Sequence, residues 1–336
     1  MSKKLFHLLA LLVVASMALA ACGAPAAVDC ASADVLCIGF VTDVGRIDDA
    51  SFNQASWEAV QQAEAELGAH VDNVVTQSAT DYEANIQLFV DDSYDVIVTS
   101  GFAIGDTTLA MSQANPGIYF IGVDQFVGNT ANFAGILFPE DQAGFQAGAL
   151  AAMLSESGII AAVLGTDLVP PVVAFKEGYE AGAVYVNPDI TVISTYHPGG
   201  LDVAFTDPEF GATTAAQAID QGADVIFGAG GDTGNGALRE VAGHEGLYCI
   251  GVDVDQWNTV PEAQPCLISS AEKHIKAAVF DLLSQYAAGT PHEGLYFGTV
   301  GLAPYHDFES VVTADMQAQL DAIRAGLADG SITTGY

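Results

Sequence analysis

Short apolar runs alternate with amphipathic stretches along almost the whole chain. Runs at 35–41, 70–75, 96–99, 117–123 and 132–137 have the length and composition of buried strands. Between them, 52–67, 81–91 and 104–114 place apolar residues at helical spacing, and Ser51 stands where the first helix needs an N-cap. The rhythm then restarts. Helices are expected at 141–154, 172–186, 212–221 and 233–242, and strands at 159–164, 190–195, 225–227, 247–252 and 267–270. A helix at 272–288, strand-like pieces near 296–300 and a helix at 314–327 close the chain. Strands separated by helices long enough to cross back make βαβ units, so the pattern predicts an α/β fold with parallel sheets in two similar halves.

Two halves also suit the length. A chain of 336 residues, 51% hydrophobic, is too long for one ordinary core. In open parallel sheets ligands bind at the carboxyl ends of the strands. There the chain places its polar loops: Asp43 onward, Ser100-Gly101, Asp124, 228–231 and Asp253. Two halves facing each other would bring these loops to one cleft.

The first residues set the compartment. Lys3 and Lys4 precede an apolar run at 8–21 that is short for a span of about 20 residues and fits a signal peptide. Leu19-Ala20-Ala21-Cys22 resembles the bacterial lipobox, in which the cysteine is lipidated after cleavage. The expectation is a signal peptide at 1–21, a lipidated tether at 22–34 beginning with Cys22, and an extracytoplasmic protein held to the cell membrane by that anchor alone. The net charge is −34, and loss of Lys3 and Lys4 makes it more negative. Such a surface repels phosphate, so nucleic acid is excluded as a partner. Outside the cytoplasm Cys30, Cys37, Cys249 and Cys266 are candidate disulfides, with three pairings open. Cys30–Cys37 would staple the tether to the first strand, and Cys249–Cys266 would link neighbouring strands. Zinc is disfavoured, since no Cys-x-x-Cys pair exists.

Three loops carry candidate chemistry. In TDVGRIDDASFN, residues 42–53, the spacing of Asp43, Asp48 and Asp49 is not that of a calcium loop. The two adjacent acids suit the positive end of a helix. Phe52 and Asn53 suit a flat ligand, one by stacking and one by reading a heterocycle edge. The glycine-rich 228–236 lets backbone approach a ligand, but its third glycine comes one residue late for a dinucleotide fingerprint. Asp253 and Lys273, at neighbouring strand ends, suit a pair of sugar hydroxyls; the plainer alternative is a structural ion pair.

The segments VTDVGRIDDASFNQASWEA, VIVTSGF, IGVDQF, VIFGAGGDTGNGA, IGVDVDQ and SSAEK, in that order, resemble the basic membrane protein family of bacterial substrate-binding lipoproteins of ABC transporters. The resemblance runs from about residue 35 to the last helix. It implies the type I periplasmic-binding-protein fold, two Rossmann-like lobes joined by a three-segment hinge. Lobe 1 is then 35–137 plus 271–303, and lobe 2 is 138–270 plus 304–336. It further implies a nucleoside ligand, a purine one first, with Phe52 and Phe175 stacking on the base. Asn53 and Asp124 would bond the base edge, with Asp43 and Ser100 nearby, and Gly231, Asp253 and Lys273 would hold the ribose. The expected protein is not an enzyme, needs no cofactor or metal, acts as a monomer and passes its ligand to an ABC permease. A sugar or furanone in the same cleft is the alternative. The family usually has glycine where Arg46 stands.

Overall fold

The computed structural model describes residues 28–126, 128 and 131–336. The expected signal peptide and the lipidation site Cys22 expected after it lie outside them. The chain forms two six-stranded sheets. The first has the order β11-β5-β4-β3-β1-β2, the second β12-β10-β9-β8-β6-β7. Leaving out β11 and β12, the second order repeats the first with every number raised by five, so each half is wound alike.

In lobe 1, β1 (Cys37–Thr42), β3 (Val96–Ser100) and β4 (Tyr119–Val123) are buried at every position. A strand covered on both faces reads as a continuous apolar run rather than an alternation. β2 (His70–Val74) closes one edge, and β5 (Phe133–Leu137) pairs with both β4 and β11 (Gly294–Phe297). Helices α1 (Phe52–Leu67), α2 (Tyr82–Asp91) and α3 (Gly105–Ala114) connect them. Lobe 2 repeats the plan with β6 (Ile159–Leu164), β7 (Thr191–Tyr196), β8 (Val225–Ala229), β9 (Tyr248–Asp253) and β10 (Leu267–Lys273). Its helices are α4 (Glu140–Leu154), α5 (Pro170–Val186), α6 (Pro208–Asp220), α7 (Gly231–Ala242) and the short α8 (Gln256–Thr259). α9 (Ile275–Ala287) returns to pack on lobe 1, and α10 (Ala314–Asp329) packs on lobe 2.

Two expectations are corrected. Glu272 and Lys273 do not begin a helix. They end β10, where Glu272 pairs with Asp253 on one side and with Gly301 of β12 (Val300–Leu302) on the other. The strand-like pieces near 296–300 are two strands separated by Gly298 and Thr299: β11 in the first sheet and β12 in the second, the latter antiparallel to β10. The chain therefore crosses between sheets at 138–139, 274 and 298–299, the second and third of these differing from the expected 270/271 and 303/304. The crossings are tied together: Gly298 N donates to Leu137 O at 2.9 Å, and His274 N donates to Thr299 O at 3.0 Å.

Cys30 is bonded to Cys37 and Cys249 to Cys266. The first bridge pins the segment before β1 to that strand, and the second ties β9 to the approach to β10. Among the described residues no helix is long and apolar enough to cross a membrane.

Candidate functional site

The strand ends of both sheets face one cleft. Asp43 follows β1, its backbone N donating to Ser100 O at 2.8 Å. Its carboxylate lies where a side chain on Gly101 would be: a Cβ there would fall 1.8 Å from Asp43 Oδ2, and Gly101 has φ +111°. Only glycine fits both the conformation and the approach. Burial, with the neighbouring Asp49, pushes the Asp43 carboxyl up to about 8 against an opposing hydrogen bond from Asn53. Near neutral pH Asp43 is therefore mostly a neutral acid, able to donate.

Asp49 starts α1. Its Oδ1 accepts from Ser51 N at 2.9 Å and Gln54 N at 3.0 Å, and its Oδ2 accepts from Asn53 N at 2.9 Å. These bonds satisfy donors that a helix start leaves open. Burial still pushes its carboxyl up to about 7. Ser51 is thus not the side-chain cap that its position predicts, because Asp49 already takes that role. The Ser51 hydroxyl instead donates to Asp253 Oδ2 at 2.6 Å, across to the other lobe. Arg46 is exposed, held by Asp48 at 2.9 Å, with Asp232 of lobe 2 at 3.7 Å. Phe52 and Asn53 then enter the cleft on the first turn. Asn53 is 4% exposed, and its Oδ1 has no hydrogen-bond partner.

The tetrapeptide Ile-Gly-Val-Asp ends both β4 and β9, at 121–124 and 250–253. Asp124 and Asp253 each close it in the left-handed region, at φ +59° and +66°. Such a conformation is uncommon for non-glycine residues and is concentrated at functional sites. Lys273, at the end of β10, donates to Asp124 Oδ1 at 2.7 Å and Oδ2 at 2.5 Å, and lies 2.9 Å from Glu140 Oε1 at the start of α4. Its ammonium also sits 4.9 Å from the ring centres of Phe52 and Phe138. Burial opposes the lysine charge, but Asp124, Glu140 and Asp253 outweigh it and hold the amine protonated. Burial raises all three acids above the usual carboxylate range, and Lys273 works against that rise.

The cleft brings together Asp43, Phe52, Asn53, Asp124, Phe175, Gly231, Asp253 and Lys273. Ser100 does not line it. Its side chain is fully buried beneath, where its hydroxyl donates to Ser56 Oγ at 3.2 Å. Lys273, expected beside Asp253 on the ribose, is hydrogen-bonded to Asp124 and Glu140. Sequence reasoning missed Glu140 and three further aromatic walls, Tyr82, Phe102 and Phe205. Glu140 stands in a helix's first turn, where an acid is ordinary. The aromatics sit in or beside loops, without periodic spacing. The repeated Ile-Gly-Val-Asp was the available signal that Asp124 and Asp253 hold equivalent places.

The Bmp family model, described as ABC transporter substrate-binding protein PnrA-like, matches residues 38–319. A CD4+ T-cell-stimulating antigen of Listeria innocua is 28% identical, over 99% of this chain and 98% of its own. The ABC transporter nucleoside-binding protein BmpA of Lactococcus lactis is 29% identical, over 64% of this chain and 63% of its own. A solute-binding protein of an ABC transporter system from Aeropyrum pernix superimposes with a TM-score of 0.80 at 24% identity, covering 89% of this chain and 92% of that one.

Proposed function

The chain belongs to the Bmp family of PnrA-like ABC transporter substrate-binding proteins, and from that premise we propose that it captures a nucleoside, a purine one first, and delivers it to a membrane permease. The base lies against Phe52 and the other cleft aromatics, with Phe175 on the second-lobe side. The observation that carries this reading is the buried, unpartnered Asn53 Oδ1 beside Asp43. A free acceptor next to a carboxylic acid that can donate matches the mixed edge of a heterocycle. Asp253, with Gly231, then takes the ribose hydroxyls, while Lys273 holds Asp124 and Glu140 in place and turns one face to the same pocket. Nothing in this set calls for bond breaking: the acids bind and orient, and the lobes exclude water by closing. The named activity of the Lactococcus relative agrees with this reading.

The protein acts as a monomer outside the cytoplasm, held to the membrane through Cys22, and Cys22→Ala releases it into the soluble fraction. A thermal-shift screen with nucleosides, free bases and pentoses tests the ligand. A nucleoside at 100 times its Kd adds about 2.7 kcal/mol of stability. Protection by purine nucleosides, weaker for bases and absent for pentoses, is the expected result. The abundance of carboxylates also suits a sugar or furanone, and protection by pentoses without protection by nucleosides would establish that reading instead.

A further inference from the structure

The loop between β1 and α1 is gripped by the opposite lobe through its backbone. Asn235 Nδ2, on α7, donates to Asp49 O at 2.7 Å. Gln256 Nε2 and Thr259 Oγ1, both on α8, donate to Ala50 O at 3.2 Å and 2.7 Å. The two amides are fixed before they meet the loop. Gln256 Nε2 also donates to Asn235 Oδ1 at 2.7 Å, Gln256 Oε1 accepts from Val252 N at 2.9 Å, and Gln256 N donates to Ser270 Oγ at 3.1 Å. A Cβ on Gly251 would fall 2.5 Å from Gln256 Oε1, so this glycine makes room for the amide. Asn235 and Gln256 are 1% and 0% exposed. Ala50 is held at φ +56° and packs against the core of lobe 2, although it belongs to the chain of lobe 1.

None of Asn235, Gln256 and Thr259 lines the cleft. Ligand contact therefore does not account for three donors converging on two carbonyls of the other lobe. We propose that these residues form a clasp that sets how readily the lobes close, and so tunes ligand affinity without touching the ligand. The proposal rests on the reading that the interlobe cleft is the binding site. Apparent affinity scales with the fraction of molecules in the competent arrangement. The clasp raises that fraction by holding the loop from which Phe52 and Asn53 project. Because its acceptors are backbone carbonyls, the device is written entirely in the side chains of lobe 2.

Thr259→Val tests it. The change keeps the side-chain shape and removes the donor to Ala50 O, a loss of about fivefold in an equilibrium constant. Thr259→Ser keeps the hydroxyl, and Asn235→Asp removes the donor to Asp49 O. Fluorophores at Glu66 on lobe 1 and Asp220 on lobe 2 report the interlobe distance without ligand. The expected result is a shift of about fivefold toward the open arrangement in Thr259→Val, a larger one in Asn235→Asp, which turns a buried donor into an acid against a carbonyl, and none in Thr259→Ser. The melting temperature of Thr259→Val stays within about 2 °C of wild type, and guanosine Kd rises by the factor by which the closed fraction falls. An unchanged distance distribution in Thr259→Val, or a Thr259→Ser that behaves like it, overturns the clasp. If guanosine fails to bind any variant or the wild type, the nucleoside reading fails while the ligand-free distances still decide the clasp.

Discussion

Lys273→Met removes the cation around which the cleft acids are arranged. In the intact protein Lys273 is 1% exposed, against 6% for Asp124 and 9% for Glu140, with contacts of 2.5 and 2.9 Å. Taking one partner from a buried ion pair costs about 3–5 kcal/mol, because the charge left behind stays buried. At about 2 °C per kcal/mol for a chain of this size, the melting temperature falls by about 6–10 °C at pH 8. The pH dependence gives the test its edge. Asp124, Glu140 and Asp253 titrate above their ordinary values, chiefly through burial. A raised carboxyl supports the fold while protonated and loses that contribution as pH rises through its folded value. Without Lys273 these values rise further, so the deficit is smallest near pH 5 and grows toward pH 8. Melting curves of wild type and Lys273→Met at pH 5, 6.5 and 8 measure it. A deficit that is constant with pH, or larger in acid, refutes the assignment of Lys273 as counter-charge to buried carboxylates.

Four further outcomes are expected. Asp43→Asn melts level with wild type near pH 4 and above it at pH 9, because the ionised form that the cleft disfavours above about 8 is gone; thermal melts across that range check it. Asp253→Ala weakens a nucleoside by at least tenfold while leaving the free base nearly unchanged, as read by calorimetry, and equal losses for both would remove the ribose assignment. Reducing Cys249–Cys266, which closes a loop with a sequence separation of 17, costs about 3 kcal/mol and lowers the melting temperature in reductant. Arg46→Ala changes stability by no more than about 0.5 kcal/mol in denaturant titrations, since its pair with Asp48 is 60% and 69% exposed.

The strands were legible because both sheets bury them on both faces, which leaves unbroken apolar runs such as CIGFVT and VIVTS. The junction at 271–300 was not. β10 extends through Glu272 and Lys273 because β9 and β12 pair with them from either side, and a charged dipeptide carries no local sign of such pairing. At the site, the polar residues that strand ends bring to the cleft were readable, as with Asp43, Asp124, Asp253 and Lys273. What each holds was not. Ser51 looks like a helix cap but reaches Asp253, 202 residues away in sequence, since Asp49 already occupies the backbone donors. Ser100 looks like a cleft residue, yet its place in the strand's alternation turns it toward Ser56.

The way the last strands are shared between the sheets also governs the order in which the molecule can be built. β5 is an inner strand only because β11 joins it, more than 150 residues later, and the antiparallel neighbour of β10 follows immediately after. A chain emerging from its amino end must keep the flank of β5 uncovered until residues 294–297 appear. Closing so long a loop is slow, and an open strand edge invites pairing with other chains in the meantime. Neither lobe can be cut out as an independent folding unit at a single point in the sequence. Fragments ending before residue 294 are expected to associate through that edge, and the complete chain to acquire both lobes together.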